Sequence, residues 1–143
     1  MYDDILIPSD GSEEAAHAVS HGIQLAAEFD ATVHALYVIE NKATYILTAE
    51  LGDEQMEKYR EYGEGVVSTI TEKSNEKGLD AKGIIKKGRV PEEIVEYAEG
   101  NGIDHIVMGR RGRGSIEQYL GSTSEKVIRM TNIPVTVIGT EIQ

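Results

Sequence analysis

The sequence predicts an α/β protein with a five-stranded parallel sheet and helices on both faces, a Rossmann-like arrangement. Short apolar and β-branched runs alternate along the chain with longer stretches in which apolar residues recur at helical spacing. Because strands and helices alternate up to a fifth strand, parallel pairing through crossover connections is favoured. The 143 residues contain no internal repeat and no linker, so we expect one domain over residues 1–143.

Turn and capping residues mark the elements of the first half. The apolar run DILIPS, residues 4–9, predicts a buried strand because Asp10 and Gly11 follow it as turn residues. Ser12 and the two acidic residues after it can cap a helix. The run TVHALYVI predicts the second strand, and residues 53–77 predict a charged helix that Gly78 ends. The apolar face of the first helix comprises Ala15, Val19, Gly22, Ala26 and Phe29.

The second half repeats this alternation. The run AKGIIKKG predicts a third strand, and Pro91 suits the first position of the short helix that follows. IDHIVMG, residues 103–109, predicts the fourth strand, and IPVTVIG, residues 133–139, predicts the fifth. Between them we expect a helix from Ile116 to Met130. Its apolar face comprises Ile116, Leu120, Val127 and Ile128.

Composition excludes several function classes. The 25 acidic residues outnumber the 14 basic ones and give a net charge of -11, which argues against a nucleic-acid binder. The chain has no cysteine for a thiol nucleophile, and its four histidines show no metal-ligand spacing. Its apolar runs are too short for a membrane span, and its acidic beginning is unlike a signal peptide. We therefore expect a soluble intracellular protein.

One glycine-rich segment after the fourth strand, GRRGRGSIEQYLGSTSEK, reverses the charge of this acidic chain. Glycines let the backbone approach a ligand and turn its N–H groups towards an anion, and arginines offer forked cationic donors to phosphate. The alternative is a plain connection whose arginines offset nearby acids. The candidate phosphate ligands are Gly109, Arg110, Arg111, Gly112, Arg113, Gly121, Ser122 and Thr123.

Three segments, in order along the chain, resemble the universal stress protein family. ILIPSDGSEEAAHAV resembles the opening strand, aspartate-containing turn and first helix of that family. KKGRVPEEIVEYAEGNGIDHIVMGRRGRG resembles its third strand to fourth strand, and LGSTSEKVIRMTNIPVTVI resembles its last helix and strand. The resemblance covers essentially the whole chain. It implies a five-stranded parallel sheet in a cytoplasmic, usually dimeric protein.

The resemblance also implies a ligand, because ATP-binding members of the family carry the pattern Gly-x2-Gly-x9-Gly-Ser/Thr. Here Gly109, Gly112, Gly121 and Ser122 match the residue types, but residues 113–120 supply eight intervening positions rather than nine. We expect the loop at 113–115 to take up the difference. The implied cofactor is ATP with Mg²⁺, the ion being held mainly through the phosphates.

The family pattern assigns the adenosine end of the ligand to the first strand and its neighbours. Asp10 is expected to accept hydrogen bonds from ribose or adenine, although Asp-Gly is also an ordinary turn. Pro8 and Ser9 are expected to flank the base. Val38 is expected to form a wall for adenine and Met108 to lie beneath the glycine loop, and both are equally suited to the core.

Three functions stay open on these grounds. The leading hypothesis is a dimeric ATP-binding switch that pairs through its last strand and, without a dedicated general base, hydrolyses ATP slowly at most. The eight-residue spacing favours a nucleotide-free dimeric interaction module of the same fold. A phosphoacceptor domain with Asp10 as its target is the third reading, and we find neither the acidic cluster nor the partner lysine that it needs.

Overall fold

The computed structural model describes residues 2–40, 53–110 and 121–139. The strands are β1 (Asp4–Pro8), β2 (Thr32–Glu40), β3 (Ala81–Gly88), β4 (His105–Gly109) and β5 (Val135–Ile138). The helices are α1 (Glu13–Phe29), α2 (Asp53–Glu76), α3 (Val90–Gly100) and α4 (Ser122–Met130).

The five strands form one parallel sheet in the order β3-β2-β1-β4-β5. Central β1 pairs with β2 on one side, Ile5 opposite Val33, and with β4 on the other, Ile5 opposite His105. The predicted fold class is confirmed. β3 and β5 lie at the two edges of the sheet, as expected for the last strand.

Each face of the sheet buries its own layer of side chains. On one face α1 and α2 pack against β1 and β2, with Ile23 and Ile70 2% exposed. On the other face α3 and α4 cover the same strands, with Ile94 and Val127 at their centre. Because both faces are covered, the central strands are apolar throughout rather than alternating, which is typical of parallel sheets.

Local signals set most helix ends where the sequence predicts them. The Ser12 hydroxyl accepts a hydrogen bond from the Ala15 amide at 3.2 Å and caps α1. Gly78 follows α2 with a φ of 78°, a left-handed conformation that glycine adopts without steric cost. α3 begins at Val90, so Pro91 is its second helical residue rather than its first.

Three sequence expectations about packing and helix extent are wrong. Phe29, placed on the core face of α1, is 41% exposed and packs edge-on against Tyr2 at a ring-centroid distance of 5.1 Å. Ile128, placed on the core face of α4, is 44% exposed. Gly121 is extended, with φ -65° and ψ 153°, so no continuous helix runs from 116 to 130. The rest of the predicted helix before Gly121 lies outside the described residues, as do the loop at 113–115 and its expected adjustment.

Polar side chains are buried at the amino-terminal edge of the sheet, the side on which its parallel strands begin. The His34 ring, 3% exposed, lies 2.9 Å from the Asp4 carboxylate through Nε2 and 2.7 Å from the Tyr97 hydroxyl through Nδ1. His105, at the start of β4, shares a 2.7 Å hydrogen bond with the Thr136 hydroxyl. Burial, and secondarily the Asp4 charge, raises the pKa of Tyr97 above its ordinary value.

Candidate functional site

A cavity of about 520 Å³ opens at the opposite, carboxyl-terminal edge of the sheet. It lies beside the ends of β1 and β4, neighbours in the sheet whose following chain leads in opposite directions. Ligands of open α/β sheets bind at this reversal of strand order. The volume falls within the range of about 300–1,000 Å³ that small-molecule pockets occupy. The cavity is therefore the candidate functional site.

The turn after β1 contributes Pro8, Ser9 and Asp10 to the cavity wall. The Ser9 hydroxyl accepts a hydrogen bond from the Gly11 amide at 3.1 Å, and an Asp10 carboxylate oxygen accepts one from the Ser12 amide at 2.9 Å. Gly11 has a φ of 82°, which lets the chain turn directly into α1. The bond from Ser12 fixes the Asp10 side chain beside the cavity that Asp10 lines.

A second turn, from β4 to α4, supplies backbone groups. Met108 and Gly109 line the cavity at the end of β4, and residues 121–124 line it at the start of α4. The two parts are held together because the Gly121 amide donates to the Arg110 carbonyl at 2.7 Å, while the Ser124 hydroxyl donates to the Gly109 carbonyl at 2.7 Å. The amino end of α4 is thereby fixed against the strand that precedes it.

The amino end of α4 suits an anion. Gly121 is the N-cap residue and has no side chain with which to accept a hydrogen bond from the first amides of the helix. Ser122 and Thr123, which follow it, line the cavity. The helix dipole places partial positive charge at this end, so an anionic group in the cavity would be stabilised there.

The remaining walls come from β2, α2 and α3. Val38 is 9% exposed and lines the cavity together with its neighbours from Leu36 to Glu40. Val90 and Ile94 contribute from α3, and Tyr59 and Tyr62 contribute from α2. The two tyrosines are absent from the residues that the sequence nominates. Their spacing of three along a charged helix is the signal that could have found them.

Nine of the thirteen residues nominated from the sequence line this one cavity. Arg110 is described but is not among the lining residues. Its amide donates to the Ile138 carbonyl at 2.7 Å, and its side-chain Cδ approaches the α-carbon region of Gly139, 3.4 Å from where a Cβ would stand. Arg111, Gly112 and Arg113 lie outside the described residues. The nine are Pro8, Ser9, Asp10, Val38, Met108, Gly109, Gly121, Ser122 and Thr123.

No group of three or more His, Asp or Glu side chains among residues 2–40, 53–110 and 121–139 could hold a metal ion. None of the helices in this described part is long and apolar enough to cross a membrane.

The parallel sheet, the layered helices and the cavity at the reversal of strand order define a doubly wound α/β protein. The model of the universal stress protein family matches residues 1–139, and the chain belongs to that family. A curated relative, Universal stress protein MJ0531 of Methanocaldococcus jannaschii, is 36% identical over 140 residues, which cover 96% of this chain and 82% of the relative.

Solved structures agree with this assignment. The structure of protein MJ0577, also from Methanocaldococcus jannaschii, is 33% identical and superposes with a TM-score of 0.88 over 100% of this chain and 99% of that one. The universal stress protein from Archaeoglobus fulgidus in complex with dAMP has a TM-score of 0.71 at 19% identity, covering 96% of this chain and 98% of that one. At that identity the second likeness shows the fold alone.

Proposed function

We propose that this protein binds an adenine nucleotide, ATP with Mg²⁺, in the cavity at the carboxyl-terminal edge and acts as a dimeric, nucleotide-dependent switch in the stress response. The observation that carries the proposal is the cavity itself. An acidic turn after β1 and the amino end of α4 meet there around apolar walls from β2, β4 and α3. A nucleotide has the matching parts: hydroxyls that donate, phosphates that accept, and a flat apolar base.

The phosphates are assigned to the turn between β4 and α4. Backbone amides at Ser122 and Thr123, with the two hydroxyls, would donate to phosphate oxygens at the positive end of the helix dipole, while Gly121 leaves space for the phosphate beside them. Gly109 borders the same space at the end of β4. The segment with Arg111, Gly112 and Arg113 joins these two ends, so its cationic side chains are assigned to the phosphates as well.

The adenosine end is assigned to the turn after β1. The Asp10 carboxylate, held at the mouth of the cavity by the Ser12 amide, is the acceptor for ribose or adenine donors. Pro8 and Ser9 lie beside it, and the nearly buried side chains of Val38 and Met108 supply the apolar surface that a base needs. The Archaeoglobus fulgidus complex with dAMP supports an adenine nucleotide in this fold.

Binding rather than catalysis is the proposed activity. Since the described residues offer no metal-holding group of acidic or histidine side chains, we assign Mg²⁺ to the phosphates, as is usual for that ion with nucleotides. Hydrolysis, with no assigned general base, is proposed to be slow. ATP would favour one arrangement of the loop over 109–123, and its loss would change the surface that a cytoplasmic partner meets.

The test of this proposal is nucleotide carry-over. Protein purified without added nucleotide is denatured, and the released material is separated and measured near 260 nm, where the chain absorbs little because it has no tryptophan. We expect adenine nucleotide in the supernatant, and a stripped sample that takes up ATP again. A stripped protein that stays folded and takes up no adenine nucleotide would favour the nucleotide-free dimeric module of the same fold.

A further inference from the structure

We infer that Tyr62 of α2 is a positioning and specificity-determining residue of this site. Its hydroxyl bonds to the turn after β1, and its ring lines the cavity in which the base is assigned. The inference rests on the proposed function, because it concerns which ligand the same cavity prefers. Its positioning part can nevertheless be measured without any ligand.

The first observation is a contact between α2 and the turn. The Tyr62 hydroxyl donates a hydrogen bond to the backbone carbonyl of Asp10 at 3.1 Å, across 52 positions of sequence. The turn also has local bonds, and the Ser9 amide donates to the Leu36 carbonyl at 3.0 Å. Tyr62 therefore ties the aspartate assigned to adenosine to an element on one face of the sheet.

The second observation is that two glycines make room for this contact. A side chain at Gly11 would meet the Tyr62 hydroxyl, and its Cβ would lie 2.9 Å from Val66 Cγ2. A Cβ at Gly63 would meet the ring of Tyr37, with Cε2 at 3.0 Å. Contacts under 3.0 Å do not occur for real Cβ atoms, so residues 11 and 63 must stay small for the two tyrosines to lie where they do.

The third observation is the setting of the ring. Tyr62 packs edge-on against Tyr37, with centroids 5.6 Å apart and planes at 68°. The ring is nevertheless 43% exposed, and it lines the cavity together with Tyr59, one turn earlier on α2. A tyrosine that served only as core filler would be buried. An aromatic ring at a cavity wall offers a planar ligand a stacking or edge contact, and a purine gains more from it than a pyrimidine.

These contacts separate two roles of one side chain. The hydroxyl positions Asp10, so its loss should weaken every ligand that carries adenosine. The ring contacts the base, so its loss should also reduce the preference for a purine over a pyrimidine. Neither role touches the phosphate end at Gly121, and neither should change how the triphosphate alone is held.

The test uses the nucleotide-stripped full chain with Tyr62→Phe, Tyr62→Leu and a matched control, Tyr97→Phe. The control also loses one tyrosine hydroxyl, but that hydroxyl pairs with His34 away from the cavity. Affinities for ATP, adenosine and CTP are measured. Tyr62→Phe should weaken ATP and adenosine by the same factor, about threefold to tenfold, which corresponds to one net hydrogen bond. Tyr62→Leu should weaken both further and bring the ATP-to-CTP affinity ratio closer to one.

The positioning role has its own measurement in the ligand-free protein. Amide signals of Gly11 and Ser12 in a nitrogen–proton correlation spectrum should shift in Tyr62→Phe and stay in place in Tyr97→Phe. Unshifted amides, or ATP and CTP affinities in Tyr62→Leu equal to those of wild type, would overturn the inference. A wild type that binds no nucleotide refutes the proposed function and the specificity role together, whereas the amide shifts confirm or refute the positioning role on their own.

Discussion

The two ends of the same parallel sheet are built in opposite ways. At the amino-terminal edge, polar side chains fill the space between strands and helices: His34 lies between Asp4 and Tyr97, and His105 bonds to Thr136. At the carboxyl-terminal edge the strands run into Asp10-Gly11 and Gly109, and a cavity of about 520 Å³ remains. The first end holds the elements in place, and the second leaves backbone groups facing open space.

The two edges differ in the residues that stand at the ends of the strands. Small and turn-forming residues at the carboxyl ends keep side chains out of the space between the two turns, so backbone groups contribute to the cavity wall beside the apolar side chains of the neighbouring elements. Bulky polar residues at the amino ends bond to one another instead, as His34 does with Asp4 and Tyr97, although His105 Nδ1 and Asp104 Oδ1 are buried without a hydrogen-bond partner among the described residues. Stability is therefore expected to depend on one end and ligand binding on the other. The predictions below probe that separation.

The largest expected change is a loss of stability at the amino-terminal edge of the sheet, where polar side chains fill the space. His34→Ala removes a buried ring and leaves the Tyr97 hydroxyl and the Asp4 carboxylate without this partner, so unfolding should cost about 2–4 kcal/mol less. Urea denaturation measures it. The milder change Tyr97→Phe should cost about 1 kcal/mol. ATP affinity of the folded fraction should be unchanged in both, and a tenfold loss of affinity would show that the two ends are coupled.

The next prediction contrasts the two sheet edges. β3 exposes Lys82, Lys86 and Lys87, which discourage pairing of an edge strand, whereas the residues of β5 are apolar apart from Thr136 and half-buried. We propose that β5 pairs with β5 of a second copy in a two-fold dimer.

A single proline tests this edge. The Pro134 carbonyl accepts from Ile106 of β4 and the Ile138 carbonyl from Arg110, just after β4. By the alternation of a strand the Val137 amide therefore faces the free edge. Val137→Pro should therefore remove one donor of the dimer while sparing the β4 ladder. Sedimentation should show a dimer for wild type and for the β3-edge control Lys86→Glu, and a shift to monomer for Val137→Pro. A wild type that is monomeric at micromolar concentration would refute this dimer.

The arginines should have a moderate effect confined to the phosphate end. Replacing Arg110, Arg111 and Arg113 together by Ala should weaken ATP more than adenosine, by on the order of 1 kcal/mol for each arginine that contacts a phosphate. Added salt should reduce the difference between the loss of ATP affinity and the loss of adenosine affinity. Arg110→Ala alone should have the least effect, because that side chain approaches Gly139 rather than lining the cavity. Equal losses for ATP and adenosine would place the arginines away from the phosphates.

The smallest expected effect is a pH dependence of the stability, arising at the amino-terminal edge of the sheet. Burial lowers the pKa of His105 below its ordinary value of 6.5, and the nearby Asp104 charge opposes this only in part. The folded state therefore binds fewer protons than the unfolded state. The stabilisation that comes from burying the neutral His105 ring is fully present above about pH 6.5, the pKa in the unfolded chain. It is lost as the pH falls through the lower pKa that His105 has in the folded protein.

Urea midpoints between pH 7.5 and 5 measure this effect. The fall in stability on acidification should be smaller in His105→Gln than in wild type, with His17→Gln, an exposed histidine of α1, as the matched substitution. If His105→Gln loses stability on acidification as steeply as wild type, burial of this ring does not govern the effect.

The sequence was sufficient for the fold and for most of the cavity wall. Periodicity and turn residues placed the strands and the first three helices to within a few residues, because local preference and tertiary structure agree there, whereas α4 begins at Ser122 rather than at the predicted Ile116. Gly121–Thr123 were nominated from the glycine-rich segment after the fourth strand, and the family resemblance added Pro8–Asp10, Val38 and Met108.

What the sequence missed depends on packing between distant elements. Residues 53–77 predict a charged helix with no nominated site residue, since nothing local shows that α2 passes beside the turn after β1, where Tyr62 bonds to the Asp10 carbonyl. Periodicity likewise carried a helix through Gly121, where the chain is extended and the glycine caps α4 instead. Phe29 and Ile128 continue apolar faces beyond the part of each helix that the sheet covers.

The central claim is that the cavity at the carboxyl-terminal edge binds ATP through the amino end of α4. Titration calorimetry of ATP with Mg²⁺ into nucleotide-stripped protein tests it most directly. Gly121→Val is the matched variant, because φ -65° and ψ 153° suit valine while its side chain would take up space in the cavity. We predict micromolar affinity, about -8 kcal/mol, for wild type and none for the variant. No binding heat from folded wild type at ~100 μM protein, roughly a hundredfold above the predicted dissociation constant, or unchanged binding in Gly121→Val, would contradict the claim.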